Sequence, residues 1–169
     1  MSEILKPTPE QLAAILANHK KWQFGEAGGK IANLRSADLS GANLRSANLK
    51  DIKGGELILA QTEIIPREGE VIGWKKCRDK VLVKLRVPAD AKRSNAPGGR
   101  KCRAERAEVL EIIGPMGGAR KDAVSLYDSN FIYCIGEVVT PGTWNTDRFT
   151  ECGSGIHFYL TREEAEAHE

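Results

Sequence analysis

Residues 32–51 read Ala32-Asn33-Leu34-Arg35-Ser36, Ala37-Asp38-Leu39-Ser40-Gly41, Ala42-Asn43-Leu44-Arg45-Ser46, Ala47-Asn48-Leu49-Lys50-Asp51. Leu34, Leu39, Leu44 and Leu49 recur every five residues, each preceded by Asn or Asp. Ala32, Ala37, Ala42 and Ala47 keep the same period. A period of five matches neither a helix at about 3.6 nor a strand at 2. The chain must therefore turn once per repeat so that each leucine meets one interior. Small alanines let the walls approach, and the polar positions face water.

Outward from this tract the patterns change. Residues 8–24 predict a helix, with Thr8 as its cap, Pro9 in its first position and Gln11 completing a capping box. Leu12, Ile15, Leu16 and His19 fall on one face, His19 as a packed histidine. Gly25, Gly28 and Gly29 end it. A short solenoid needs caps, and this helix, with Trp22 and Phe24, is the cap expected at one end. At the other, Leu57, Leu59, Thr62 and Ile64 read as a degraded continuation of the repeat.

From residue 67 onward the sequence reads as a mainly antiparallel α+β domain. Val71–Trp74 and Lys80–Val87 suggest a hairpin, with Val81, Val83, Leu85 and Val87 alternating inward. Residues 89–103 read as a basic, turn-rich loop around Asn95, Pro97, Gly98 and Gly99. Ala104–Ile113, Phe131–Val139 and Ile156–Leu160 read as strands. Thr161 and Glu164 form a capping box for a last short helix. The expected division is thus residues 1–66 and 67–169.

The 169 residues include 25 Lys/Arg and 23 Asp/Glu, but the charge is unevenly spread. Residues 75–121 hold fourteen Lys/Arg against five Asp/Glu, a net of +9, and residues 122–169 carry a net of −7. Such asymmetry means either that the two segments pair or that a basic surface awaits an anion. No apolar run reaches the roughly 18 residues of a membrane span. The N-terminus, with Glu3 and Lys6, lacks a secretory h-region. The expected location is the cytoplasm. Cys77, Cys102, Cys134 and Cys152 form no C-x-x-C pair and read as reduced, buried cysteines. Cys152, His157 and a further cysteine lack zinc-site spacing, so no metal or other cofactor is expected.

The four repeats resemble the pentapeptide-repeat family, whose pattern is A-[DN]-L-x-x. That resemblance implies a right-handed, four-sided β-helix with one pentapeptide per side. Four copies make one coil, which cannot stand alone. Some long members of the family mimic DNA. One coil bearing Arg35, Arg45 and Lys50 is too short and too basic for that role. The whole chain resembles proteins common in bacteriophages and prophages, on Gly73-Trp74-Lys75-Lys76-Cys77, Arg100-Lys101-Cys102-Arg103-Ala104-Glu105 and Glu151-Cys152-Gly153-Ser154-Gly155-Ile156-His157-Phe158. Their C-terminal domain has no established activity, so the resemblance implies a source and no mechanism.

Two stretches carry candidate chemistry. The first is the basic loop, where Lys92, Arg93, Arg100, Lys101 and Arg103 surround glycines that allow close approach of an anion. It lacks the Gly-Lys-Ser/Thr of a P-loop and the aromatics of a nucleic-acid binder. The second is Cys152–Thr161. His157 and Tyr159 alternate onto one strand face with Glu151 nearby, faintly similar to ADP-ribosyltransferase-like folds. The sequence thus points to a phage-type, non-enzymatic binding protein that engages a nucleotide or an acidic protein partner. The alternatives are a nucleotide-processing enzyme using His157, Tyr159 and Glu151, or a purely structural protein. Open strand edges and an exposed coil end favour a homo-oligomer.

Overall fold

The computed structural model describes residues 6–35, 37–39, 42, 44 and 47–168. The expectations for Ser36, Ser40, Gly41, Asn43, Arg45 and Ser46 of the repeats, and for Glu3, lie outside the described residues. The chain forms two compact units, Met1–Glu63 with Ala96–Gly99, and Ile64–Asn95 with Arg100–Glu169. It combines helices with antiparallel sheet.

In the first unit, α1 (Pro9–Gln23) begins with both hydrogen bonds of the Thr8/Gln11 capping box. The repeats follow as a chain of turns. Each leucine carbonyl accepts from the N–H three residues on: Leu34 from Ala37, Leu39 from Ala42, Leu44 from Ala47 and Leu49 from Ile52. This local bond turns the backbone once per repeat and buries Leu34, Leu39, Leu44 and Leu49. Asn33 then pairs in parallel with Lys53, four repeats later. Beyond that bridge the described residues of the tract form no sheet.

His19 ties α1 to the repeats. Ala32 N–H donates to its Nδ1 at 3.4 Å, so Nε2 carries the proton and donates to the Lys50 carbonyl at 2.8 Å. Two backbone groups of the coil are thereby satisfied by one fully buried side chain. Two expectations are corrected here. Phe24 is 69% exposed, so the helix caps through His19 and Leu12 instead. Leu57, Leu59 and Thr62 do not continue the repeat; they lie in α2 (Gly55–Thr62). Gly54, at a φ of 92°, is the break, and Glu56 through Gln61 are good helix formers. Gln61 of α2 accepts from Leu39 N–H at 3.2 Å, and Ile58 on the same helix is fully buried.

The second unit holds the sheets. Antiparallel β1 (Val71–Lys76), β2 (Leu82–Val87), β5 (Ala107–Ile113) and β8 (Val138–Val139) pair in the order β1-β2-β5-β8. A second sheet orders β3 (Arg93–Asn95), β4 (Cys102–Ala104) and β9 (Ile156–Phe158), and β6 (Asp122–Val124) pairs with β7 (Ile132–Cys134). The α3 helix (Arg162–Glu166) opens with the Thr161/Glu164 capping box. Val83, Leu85, Val87, Val109 and Ile112 fill the core, with Phe158 from the second sheet. A Cβ at Gly73 would stand 2.2 Å from the Phe158 ring, so the strand there must be glycine. The expected strand at Phe131–Val139 is interrupted by Gly136, at a φ of 81°, and makes β7 and β8.

Candidate functional site

The basic segment is a hairpin, not an open loop, and its arginines are engaged. Arg93 donates to the carbonyls of Pro66 (2.8 Å) and Pro88 (3.2 Å). Lys92 pairs with Glu105, and Arg100 with Glu164 at 2.5 Å. Arg103 is 2% exposed. Its guanidinium donates to the carbonyls of Asp147 and Ser154 and lies 5.3 Å from the Trp144 ring centroid. A Cβ at Gly153 would stand 2.4 Å from that guanidinium, which explains the glycine. Lys92, Arg93, Arg100 and Arg103 are thus each partnered within the protein. Each finds carboxylates or backbone carbonyls inside the second unit. Lys101, the fifth, lines a pocket.

That pocket is assembled by a single bridge. Trp74 and Tyr159 exchange both backbone hydrogen bonds at 2.7 Å, joining β1 to the end of β9. The bridge brings Lys75 and Lys76 beside His157 and Tyr159. On the other side of β9, Arg103 is the register partner of His157, which places Lys101 beside Tyr159. Tyr127 and the C-terminal His168 complete a pocket of about 40 Å³. No carboxylate is among its described lining residues. A cavity holds one water at roughly 10–15 Å³, so this one has room for a few water-sized groups. A wider cleft of about 440 Å³ shares Lys75, Tyr127 and His157 with it. Phe131, Tyr133, Pro141 and Asp128 are among the cleft's walls.

The electrostatics divide the three lysines. Lys76 Nζ donates to the carbonyls of Glu166 (3.1 Å) and His168 (2.5 Å), closing the end of α3. Lys101 Nζ donates to Cys152 Sγ at 3.1 Å. Burial works against the Lys101 charge, but Cys152, Glu151 and Tyr159 outweigh it and hold the amine above the ordinary lysine value. Lys75 Nζ donates to the His157 carbonyl at 3.2 Å and stands 5.8 Å from the Tyr133 ring centroid. Its desolvation, followed by Lys101 and opposed by Cys77, holds its pKa below the ordinary value.

His157 is pushed down to about 4, by burial first and then by Lys75, Lys101 and Arg103. Its Nε2 is buried with no hydrogen-bond partner, whereas its ring does bond to the Gly153 backbone. That backbone bond favours the protonated ring, so Nδ1–H faces the Gly153 carbonyl and Nε2 keeps a bare lone pair. His168 is also lowered, again by burial ahead of Lys101, Lys75 and Lys76. It bonds the hydroxyls of Tyr159 (3.1 Å) and Tyr127 (3.3 Å). The structure thus brings His157, Tyr159 and Lys101 together. Glu151 is exposed and acts on Lys101 and Tyr159 by charge alone. Sequence reasoning missed Lys75, Lys76, Tyr127 and His168. A usable signal was present: the three stretches quoted for the phage resemblance converge here through Lys75, Lys76, Lys101 and His157.

Residues 61–165 match the model of a family of unknown function, DUF5758. The chain belongs to that family. All of the pocket except His168 falls inside the matched span. Residues 32–51 match the model of pentapeptide repeats. No curated protein and no solved structure matches the chain.

Proposed function

We propose that this DUF5758 protein is a phage-type binding protein whose second unit takes an anionic small ligand of the nucleotide class, without turnover. The carrying observation is the pocket itself: Lys75, Lys76 and Lys101 converge on it, and no carboxylate is among the described lining. The phosphate goes to Lys101, whose charge is held. The body lies in the adjoining cleft, whose volume is within the roughly 300–1,000 Å³ of small-molecule sites. In this reading the repeats form one coil of a right-handed β-helix, supported by the bridge that returns after four repeats. The protein acts in the bacterial cytoplasm.

A nucleotide-processing enzyme is the second reading. The bare, buried Nε2 of His157 supports it, since a neutral histidine is the form a general base requires.

The test is calorimetry with AMP, ATP and inorganic phosphate against the native chain and two variants. Lys101→Ala removes one charge-assisted contact, and affinity falls by about 1.5–3 kcal/mol, roughly 10- to 150-fold. Arg100→Ala, which removes only a surface pair, leaves affinity unchanged. Equal loss in both variants, or no heat with any anion, sinks the reading. Hydrolysis of ATP that disappears in His157→Gln turns it into the enzyme.

A further inference from the structure

The three pocket lysines are not equivalent. Lys76 is bound to two carbonyls and Lys101 to a thiol, so both serve as fixed cations. Lys75 lines both the headgroup pocket and the wider cleft, the one amine at their junction among the described residues. One carbonyl holds it, from His157, which leaves two of its three N–H positions without a protein acceptor among the described residues. It is half-buried, which both desolvates the amine and leaves it open to a ligand. The neighbouring charge of Lys101 opposes protonation further. Desolvation beside a second cation is the arrangement that activates a lysine as a nucleophile. His157 lines the same two cavities, and its buried Nε2, without a partner, is a base for the proton.

We propose that Lys75 is a covalent attachment point that forms a reversible imine with an anion carrying an aldehyde or ketone. This inference rests on the anion-binding reading above and narrows its ligand class. In the step, the Nζ lone pair bonds to the carbonyl carbon and the C=O π pair moves to oxygen. A proton passes from nitrogen to that oxygen, by way of His157, to give a carbinolamine. Loss of the hydroxyl as water, with the remaining amine proton leaving nitrogen, gives C=N. No oxidant or reductant is consumed, and hydrolysis reverses the step. Lys101 holds the anionic end in the headgroup pocket and thereby brings the carbonyl to Lys75.

The probe is pyridoxal 5′-phosphate with the full-length chain, trapped with cyanoborohydride and read by intact mass and peptide mapping. Hydride adds to the imine carbon and a proton to nitrogen, so the adduct is permanent. The expected result is one fast adduct on the peptide carrying Lys75, slowed by excess AMP. In Lys75→Arg, which keeps the charge, labelling falls at least about ten-fold while the thermal unfolding midpoint stays that of the native chain. Pyridoxal, which lacks the phosphate, labels at least about ten-fold more slowly. Labelling that spreads over exposed lysines such as Lys121, or that is unchanged in Lys75→Arg, overturns the imine. AMP binding without a Lys75 adduct overturns the imine and leaves the anion reading intact. Neither binding nor adduct overturns both.

Discussion

Each unit withdraws a histidine nitrogen from water, and the two are treated in opposite ways. In the first, His19 is fully buried and both ring nitrogens meet backbone groups of the coil, at 3.4 and 2.8 Å. In the second, His157 has one nitrogen on the Gly153 backbone and the other bare, between lysines. An unsatisfied buried nitrogen costs about 1–3 kcal/mol. A fold that leaves such an atom unpaired where two cavities meet gives up stability in a place where a ligand can recover it. The difference teaches that burial alone does not separate a structural histidine from a functional one; the count of partners does.

The comparison can be broken first at the coil. Leu39 is 1% exposed, and Leu39→Ala is expected to cost about 3–5 kcal/mol by urea denaturation. Ligand affinity of the second unit should not change. A small loss would mean that the repeat packs no core.

The second prediction separates the two histidines by pH. The folded pKa of His157, about 4, lies below its ordinary 6.5, so the unfolded chain binds that proton more readily between the two values. Stability from neutral His157 is therefore full above pH 6.5 and is lost as pH falls toward 4. After allowance for solvent screening of a partly exposed ring, about 2 kcal/mol is at stake. The fall in Tm from pH 7 to pH 4.5 should be shallower in His157→Gln than in the native chain. Identical slopes would deny that His157 is held neutral.

The smallest effect concerns charge. Arg100 and Glu164 form an exposed pair at 2.5 Å, worth under about 1 kcal/mol. Arg100→Ala should shift the Tm barely, less than Arg103→Ala, which removes a buried side chain packed on Trp144. A larger shift for Arg100 would return importance to the exposed part of the basic segment.

These contrasts also mark what the sequence made legible. The repeat was readable because its period is written along the chain and its turns are local. The capping boxes at Thr8 and Thr161 were readable for the same reason. The α2 helix was not, because Leu57 and Leu59 kept apolar spacing close to the repeat, and the αL break at Gly54 was not legible as a change of structure. The partners of the basic segment were not legible, because a charge count cannot see acceptors. Arg93 and Arg103 spend their donors on backbone carbonyls, which have no signature in composition. Lys75 was passed over because a lysine on a strand edge reads as solvent-facing. Its site depends on a contact 82 residues away in sequence. His157 and Tyr159 were readable as a pair on one strand face, but their lysine neighbours were not.

The chain has three histidines, and this makes one measurement decisive. Imidazole resonances of the full chain, followed by NMR during titration with AMP, report both units at once. The account predicts that His157 and His168 shift together and saturate, while His19 stays fixed. Movement of His19 with the pocket histidines silent, or no movement at any concentration, would contradict it.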